Sequence, residues 1–338
     1  MQTVLFYSSV KSKHLFAVQS YYQTDINILQ DLGYCVKLSN SISDFLHFKR
    51  YDIAFIYFYR YGFFVALLAK IFGKKVYFTG GIDYLDKQFA TKQQRAIQHI
   101  FFILCNLLSD KSILVSTSDA KNVADLYHGQ LPKNCTISFH VIDIIALEFS
   151  GNFADKKAQF CTIAWMVKLD NVFRKGIDKA IRIFETIVIQ YPEFNFTIAG
   201  PEGEGSDYVR HMIHERNLEK SIFLLGSIDD NSKKKLLQES MFYFQLSAYE
   251  GFGIAASEAL VAGDIVLHSG RGGLKDAVGN FGYKFPDINE LSITIFLLDK
   301  CKNGITNEHM QDGIEYIKQN FTYEKRLNDF KNIIGLSK

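Results

Sequence analysis

The sequence has few cysteines and no arrangement of them that indicates a metal or disulfide site. Its five cysteines are odd in number and widely spaced. No Cys-x-x-Cys pair and no Cys/His cluster has the spacing of a zinc site. We therefore interpret them as reduced residues of the core. They are Cys35, Cys105, Cys135, Cys161 and Cys301.

The sequence also lacks a long apolar run. Its longest, residues 100–108, is far shorter than the about 20 residues that a membrane-spanning helix needs, and it includes Asn106. The first residues lack the basic, apolar and small-residue regions of a secretory signal. These absences predict a cytoplasmic protein in which residues 100–108 form a core or interfacial helix.

There is little excess charge of either sign. The net charge is +2, which argues against a protein that binds nucleic acid by neutralising phosphates. Residues 1–150 hold 15 Lys and Arg against 11 Asp and Glu, and the other residues hold 23 against 25. Helical patterns at residues 60–72 and 87–108 interleave basic and aromatic residues. Two interpretations stay open: a face that rests on a membrane, or core helices with a solvated basic side.

Length and pattern predict two α/β domains. The chain has 338 residues, against a prior of roughly 150 residues per domain. Hydrophobic residues make up 48% and aromatic ones 14%, which is enough for large cores. Short β-rich runs alternate with helical segments, as in parallel sheets. The predicted strands are residues 3–7, 52–58, 75–79, 112–116, 136–141, 160–167, 194–199, 222–225, 241–246 and 265–268.

One stretch, residues 249–263 with the sequence YEGFGIAASEALVAG, predicts a ligand site. It follows the buried strand at 241–246 and leads into a helix at 253–262. Gly251 and Gly253 allow the backbone to approach a ligand closely. The N–H groups that open the helix, at Ile254, Ala255 and Ala256, lack partners within the helix, so a phosphate can bind there.

Two carboxylates, Glu250 and Glu258, bracket this turn and can each bind hydroxyl groups. Two other interpretations of the stretch remain. One is an ordinary strand-to-helix turn with solvated glutamates, and the other is a dinucleotide fingerprint of the form G-x-G-x-x-A. The dinucleotide fingerprint expects an acidic residue after the next strand. The strand at 265–268 is instead followed by the sequence SGRGG.

The E-x7-E pattern around Gly-Phe-Gly resembles the second-domain signature of retaining GT-B glycosyltransferases of family 4. The resemblance implies two Rossmann-like domains that face a cleft, with a C-terminal helix that crosses back to the first domain. Accordingly we expect an acceptor-side domain at residues 1–150, a nucleotide-sugar-binding domain at 151–318 and a terminal helix segment at 319–338. An amphipathic pattern at 320–334 is similar to that helix.

The resemblance also implies roles for two cations. Lys175 and Gly176 match the Lys-Gly pair of the family, and Lys168 stands where an arginine is usual. Both lysines would face the diphosphate, although a lysine lacks the bidentate fork of arginine. A solvated lysine is the alternative for Lys175, and Arg174 could share the task.

The remaining donor contacts are carried over from the family. Glu258 would bind the ribose hydroxyls and Glu250 the donor sugar, with backbone contacts from Phe252 and Gly253. Glycine turns after two strands would line the same rim. The predicted donor-binding set comprises Gly200, Pro201, Ser227, Gly251, Phe252, Gly253, Ile254, Ala255 and Glu258. Plain glycine turns are the alternative for Gly200, Pro201 and Ser227.

The acceptor side matches the family only by topology. The loop at residues 8–14 lacks the glycines that many relatives have there. The turn at 79–86 has Gly80 and Gly81 followed by Asp83 where many relatives have a histidine. We take Asp83 as the acceptor-side polar group, with an Asx turn or helix cap as the alternative. The predicted catalytic set is Lys168, Lys175, Glu250 and Asp83.

The sequence contains no Asp-x-Asp, the pattern with which GT-A enzymes usually hold a divalent ion. This absence supports a metal-independent enzyme. The function that the resemblance implies is a retaining glycosyltransferase of the hexosyltransferase type with no cofactor. It would move a sugar from a nucleoside-diphosphate sugar to a glycan or lipid-linked acceptor in surface polysaccharide or lipopolysaccharide synthesis. Alternatives are a GT-B sugar-nucleotide epimerase or phosphorylase, or a non-catalytic nucleotide-sugar-binding partner. A peripheral contact with the inner face of the membrane is an open expectation.

Overall fold

The computed structural model describes residues 1–335, which divide into two compact units. Unit 1 consists of Met1–Val141 and the described residues from Phe321 onward, and unit 2 consists of Ile142–Asn320. From the sequence we expect the first domain to end at residue 150 and the second at residue 318. In the structure, the first segment of unit 1 ends at residue 141 and unit 2 ends at residue 320. Residues 336–338, the end of the predicted segment 319–338, lie outside the described residues.

Within residues 1–141, six parallel strands form one sheet. They are β1 (Thr3–Tyr7), β2 (Cys35–Ser39), β3 (Ile53–Tyr57), β4 (Lys75–Thr79), β5 (Lys111–Leu114) and β6 (Cys135–Ile137). In the sheet their order is β2-β1-β3-β4-β5-β6. Every residue of β3 is buried, as expected for a central parallel strand with both faces covered.

The helices of residues 1–141 lie on both faces of this sheet. They are α1 (Leu15–Val18), α2 (Ser20–Asp31), α3 (Gly62–Ile71), α4 (Lys92–Leu108) and α5 (Thr117–Leu126), with short 3-10 turns at Ile42–Leu46, Phe48–Arg50 and Asp83–Leu85. One apolar core contains Val65 of α3, Phe102 of α4 and Val123 of α5. A separate core contains Ile28 of α2 and strand residues that point the other way. Helices α3, α4 and α5 therefore share one side of the sheet.

The sequence patterns differ from these elements in three places. Residues 15–32 have the apolar spacing of a single helix but form two helices, because Gln19 between them is extended. The helix expected from residue 87 begins at Lys92, where Thr91 forms a capping box with Gln94. Strand β2 was missed. Its middle residues are half-buried or exposed, so it lacks the continuous apolar run of the inner strands.

Within residues 142–320, a second parallel sheet repeats this plan. Its strands are β7 (Lys157–Ile163), β8 (Asn195–Ala199), β9 (Ile222–Gly226), β10 (Ser240–Gln245), β11 (Ile265–His268) and β12 (Tyr283–Lys284). Their order is β12-β11-β10-β7-β8-β9. The chain runs outward from β7 in one direction and from β10 in the other, so the order reverses between these two neighbours. Open α/β sheets bind ligands at such a switch point.

The helices of unit 2 follow its strands. They are α6 (Ile144–Leu147), α7 (Leu169–Lys175), α8 (Ile177–Gln190), α9 (Glu204–Glu215), α10 (Asp230–Glu239), α11 (Ile254–Val261), α12 (Leu274–Val278), α13 (Glu290–Asn303) and α14 (Asn307–Asn320), with a 3-10 turn at Phe153–Asp155. Asp229 caps α10 by accepting from the Ser232 N–H, as its position before the helix predicts. No helix within residues 1–335 is long and apolar enough to cross a bilayer.

The terminal helix α15 (Tyr323–Ile334) belongs to unit 1. The Arg326 guanidinium is buried and donates to both oxygens of Asp25 on α2, at 2.6 and 2.8 Å. It also donates to the Ser138 carbonyl oxygen at 2.7 Å. Phe330 packs its ring 5.6 Å from that of Phe55 in β3. The predicted return of the chain to the first domain is confirmed.

Candidate nucleotide-sugar site

The predicted site residues of unit 2 follow strands whose carboxyl ends lie at one edge of its sheet. The loop after β7 carries Lys168, and the loop after β10 carries Glu250. Backbone hydrogen bonds tie these loops to their neighbours. Met166 N–H donates to the Pro201 carbonyl at 3.0 Å, and Gly200 N–H to the Gly226 carbonyl at 2.8 Å. The edge is therefore one connected surface rather than a set of independent turns.

The loop that carries Glu250 is held by the glycine pair of the loop after β11. Gly273 N–H donates to the Glu250 carbonyl at 2.8 Å, and Glu250 and Gly272 form an isolated parallel bridge. A Cβ at Gly272, whose φ is +66°, would lie 2.1 Å from that carbonyl oxygen. Only glycine fits there, so the sequence RGG has a physical role in positioning Glu250.

The Glu250 carboxylate accepts several hydrogen bonds at one oxygen. Oε1 accepts from the Lys175 ammonium at 2.5 Å, from Ser247 Oγ at 2.6 Å and from Gln245 Nε2 at 2.9 Å. Burial raises the pKa of Glu250. The charge and hydrogen bond of Lys175, the hydroxyl of Ser247 and the charge of Arg174 outweigh burial, so the pKa lies below its ordinary value. Glu250 is thus held ionised.

A close backbone contact brings Lys175 to this carboxylate. Helix α7 ends at Lys175, and Gly176 follows with a left-handed φ of +69°. A Cβ at Gly176 would lie 2.4 Å from the Leu246 carbonyl oxygen. Ala248 N–H donates to the Arg174 carbonyl at 2.7 Å. The Lys-Gly pair therefore joins the segment after β7 to the loop after β10, at the switch point.

The turn before α11 has the predicted open helix start. Gly253 has a φ of +113° and stands before Ile254, the first residue of the helix. Ile254 and Ala255 are half-buried, and their N–H groups have no acceptor within the helix. Ala256 differs from the expectation, because its N–H donates to the Gly253 carbonyl at 3.0 Å. Phe252 is buried, so at that position a ligand would meet backbone only.

Glu258 lies in the same helix but has different surroundings. Its side chain is buried, and Oε1 accepts from the Lys233 ammonium of α10 at 2.9 Å. Burial raises the pKa of Glu258. Lys233 opposes burial, but the charges of Asp230 and Asp143 add to it, so the pKa lies above its ordinary value. The pKa of Lys233 is lowered by burial and raised by Glu258, with a net rise. Both pKa values therefore lie above their ordinary values, which favours the charged form of Lys233 and disfavours that of Glu258.

Lys168 and the turn residues lie at the exposed rim. Lys168 is exposed and directly precedes α7. Among residues 1–335, no hydrogen bond or ion pair of its ammonium is found. Gly200 has a φ of +142°, and a Cβ there would lie 1.8 Å from the Ala164 carbonyl oxygen. Pro201 is half-buried and Ser227 is exposed. These turns can offer backbone groups to a ligand at the same edge as Glu250.

Asp83 belongs to unit 1, whereas the other predicted site residues belong to unit 2. It is half-buried and opens the 3-10 turn that follows β4. The preceding Ile82 N–H points to Asp119 Oδ1 at 3.4 Å. Its acceptor-side role stays a prediction.

Sequence reasoning missed the residues that support the two carboxylates. Gln245 and Ser247 hold Glu250, and Lys233 pairs with Glu258. Gln245 and Ser247 could have been found from the sequence, because they are polar residues at the end of an apolar strand. Lys233 could not, because it is one of three consecutive lysines and lies 25 positions from its partner.

His268 is the last residue of β11. A dinucleotide-binding fingerprint would have an acidic residue at the end of this strand. His268 is buried, and burial lowers its pKa to about 4, so it is neutral near pH 7. It offers no carboxylate to a ribose. Among residues 1–335, no group of three or more His, Cys, Asp or Glu side chains could hold a metal ion.

Residues 151–303 match the family model described as glycosyl transferases group 1. The match lies within unit 2 and covers less than half of the chain. Among curated relatives, the phosphatidylinositol N-acetylglucosaminyltransferase gpi3 subunit of Schizosaccharomyces pombe is 25% identical over 182 residues, 52% of this chain and 39% of that protein. The GDP-mannose:cellobiosyl-diphosphopolyprenol alpha-mannosyltransferase of Xanthomonas oryzae pv. oryzae is 33% identical over 96 residues, 28% of this chain and 25% of that protein. The chain thus spans between a quarter and two fifths of their length.

Solved structures share the fold of the whole chain. Sucrose-phosphate synthase from Thermosynechococcus elongatus has a TM-score of 0.78 at 13% identity, with 99% of this chain and 98% of that chain covered. Anabaena HepE in complex with UDP and glucose has a TM-score of 0.77 at 15% identity, with 99% of each chain covered. At these identities the likeness concerns the fold alone, and it confirms the predicted GT-B fold. The family match and the curated relatives confirm a glycosyltransferase domain.

Proposed function

We propose that this chain is a retaining, metal-independent glycosyltransferase that moves a sugar from a nucleoside-diphosphate sugar to a glycan or lipid-linked acceptor. The observation that carries the proposal is the Lys175–Glu250 pair, 2.5 Å between Nζ and Oε1, at the switch point of the unit 2 sheet. It places a cation and an ionised carboxylate beside the open start of α11. A diphosphate and a sugar hydroxyl require these two kinds of group.

The departing nucleoside diphosphate carries the charge that the site must stabilise. In the proposal, Lys175 and the N–H groups of Ile254 and Ala255 bind the diphosphate, and Lys168 reaches it from the rim. Preorganised donors of this kind are worth roughly 3 to 4 kcal/mol each when removed singly. The donor phosphate itself would take the acceptor proton, so no protein nucleophile is assigned.

The carboxylates would bind the hydroxyls of the donor. Within residues 1–335, every hydrogen bond found for the Glu250 carboxylate ends on Oε1, and the same holds for Glu258. The second oxygen of each carboxylate is therefore available to a ligand. Glu250 would bind the sugar and Glu258 the ribose.

The acceptor is proposed to bind at unit 1, with Asp83 as its polar contact. A lipid-linked acceptor resides in a bilayer, so the proposal includes a peripheral contact between unit 1 and a membrane, and a place in surface polysaccharide or lipopolysaccharide synthesis. The cytoplasmic location stays a prediction.

A panel of labelled donors tests the reaction class. The relatives direct the first choices, since one is named as a GDP-mannose enzyme, another as an N-acetylglucosaminyltransferase, and HepE is described with UDP and glucose. We expect labelled sugar in a glycan or lipid product. Epimerised donor, sugar 1-phosphate formed with inorganic phosphate, or binding without turnover would each indicate one of the alternative functions. A response to NAD or NADP would contradict the proposal.

Binding and stereochemistry give two further tests. Glu258→Ala should abolish the thermal shift with nucleoside diphosphates, whereas Glu308→Ala, an exposed acid at the start of α14, should not. Unchanged binding in Glu258→Ala would contradict the donor assignment. Retention predicts that NMR of the product's anomeric proton gives the configuration of the donor sugar, and an inverted product would refute it.

A further inference from the structure

Helix α3 is apolar on its outer face as well as on its inner one. Val65, Ala66 and Ala69 are buried against the sheet. On the outer side Tyr61, Phe64, Leu67 and Ile71 are exposed, at spacings of three and four that align them on one face of a helix. Ile71 has 66% of its surface exposed. Lys70 is the only charged residue of the helix. A helix of this composition is normally covered all round.

Helix α4 extends the apolar area. Ile100 and Leu107, two helical turns apart, are exposed on its outer side, Leu107 at 75%. The two helices touch, with the rings of Phe63 and Phe101 6.3 Å apart. Both lie on the same side of the sheet, because their inner residues share one core. We call Tyr61, Phe64, Leu67, Ile71, Ile100 and Leu107 the α3–α4 surface. Several exposed apolar side chains on two touching helices are typical of an interaction site.

The charge around this surface is mostly positive. Residues 60–79 and 87–109 together contain seven Lys and Arg and no Asp or Glu, although the whole chain has a net charge of only +2. Arg60 lies 5.8 Å from the centre of the Tyr61 ring, at the start of the apolar face. Two of the cations have acidic partners, Lys70 with Asp110 at 2.6 Å and Lys87 with Asp125 at 3.7 Å. The remaining cations give the surface a positive rim.

We propose that the α3–α4 surface binds an anionic phospholipid bilayer, with the apolar side chains inserted among the lipids and the cations against the headgroups. An apolar face with a basic rim is the pattern of peripheral membrane binding. A mostly positive border is less suited to a second copy of this chain, since both copies would present the same excess of cations. This membrane surface rests on the proposed function, because that function includes a lipid-linked acceptor. It adds to that function the residues that touch the bilayer and the charge of the lipids that they bind.

Vesicle flotation of the full chain without any donor tests this surface separately from sugar transfer. We expect the protein to float with vesicles of equal phosphatidylcholine and phosphatidylglycerol and to stay unbound with phosphatidylcholine alone. The double variant F64S/I71S should bind at least tenfold more weakly, and R60S/K74S should bind more weakly at low salt. The matched control is Ile189→Ser, because Ile189 is a similarly exposed isoleucine, 79% exposed, on α8 of unit 2.

The outcomes separate the alternatives. Loss of flotation in F64S/I71S at an unchanged melting temperature, with Ile189→Ser behaving as the original chain, supports the proposal. Equal binding to both vesicle types, binding to neither, or full binding by F64S/I71S would overturn it. So would a lipid-free dimer, seen by sedimentation, that F64S/I71S dissociates, since a second copy would then cover this surface. Failure of sugar transfer with intact flotation would count against the proposed function alone.

Discussion

Glu250 and Glu258 lie eight residues apart in one segment and each pairs with a lysine, yet their pKa values shift in opposite directions. Burial raises the pKa of both carboxyl groups, and the pKa of Glu250 nonetheless falls below its ordinary value while that of Glu258 rises above it. The difference lies in their neighbours. Ser247, Gln245 and Arg174 add to Lys175 around Glu250, whereas Asp230 and Asp143 oppose Lys233 around Glu258.

This comparison teaches that one ion pair does not by itself offset the effect of burial on the pKa of a carboxyl group. Desolvation of a carboxylate is offset only when additional hydrogen bonds and charges act in the same direction. Glu250 has that support and is suited to a constant charge near the reacting sugar. Glu258 lacks it, so its charge depends on pH and on what binds beside it.

The largest expected effect comes from breaking the supported pair. Lys175→Met removes the cation proposed to bind the diphosphate and leaves the half-buried Glu250 without its main partner, so we expect kcat/KM for transfer to fall by at least about 100-fold. Steady-state kinetics with the donor found active would measure this fall. Lys179→Met, in the first turn of α8, is the control and should change kcat/KM by less than about threefold. Similar kinetics for both variants would contradict the proposed role of Lys175.

A second substitution moves Lys175 without touching its charge. Gly176→Ala forces a left-handed φ on alanine and brings its Cβ against the Leu246 carbonyl. We expect the free energy of unfolding to fall by about 2 to 4 kcal/mol and transfer to fall with it. Gly33→Ala is the matched control, because Gly33 also has a positive φ but no atom within 4 Å of its Cβ. It should lose only about 1 kcal/mol. Equal losses in chemical denaturation would show that the Leu246 contact does not position the turn.

A smaller effect is expected at the rim. Lys168 is exposed and would approach the diphosphate without a fixed partner within the described part of the chain, so Lys168→Ala should lower kcat/KM by about tenfold. Lys168→Arg should keep or increase the activity, because arginine offers a bidentate fork to phosphate. A loss in Lys168→Ala as large as in Lys175→Met would reverse the ranking of the two lysines.

The smallest effect concerns the pH dependence of donor binding. Glu258 is protonated below its raised pKa and is then a weaker acceptor for a ribose hydroxyl, so binding should weaken as the pH falls through that pKa. Lys233→Met removes the attraction that lowers this pKa, so the pKa of Glu258 should rise. The loss of binding at low pH (the acidic limb of the binding curve) should therefore begin at a higher pH. Binding isotherms of the nucleoside diphosphate across pH would measure the shift, with Lys235→Met, an exposed neighbour, as control. A limb that stays in place or moves down would contradict the assignment to Glu258.

The parts of the site that local sequence could predict are those in which one residue type has one physical use. Gly253 lies directly before α11, as predicted, and Asp229, a residue type that favours N-caps, lies directly before α10. Local pattern failed where a neighbour comes from elsewhere in the chain. The support of Glu258 by Lys233 and the bridge between Glu250 and Gly272 join segments 25 and 22 residues apart.

By itself, the sequence determined the alternation of strands and helices, the two α/β domains, and the glycine turn that precedes α11. It could do so because apolar periodicity and glycine act over a few residues. Only the tertiary structure decided which edge of the sheet assembles the site, which carboxylate is held ionised, and that the outer face of α3 is exposed. Burial and charge depend on neighbours distant in sequence, and these become known only when the strands are in order.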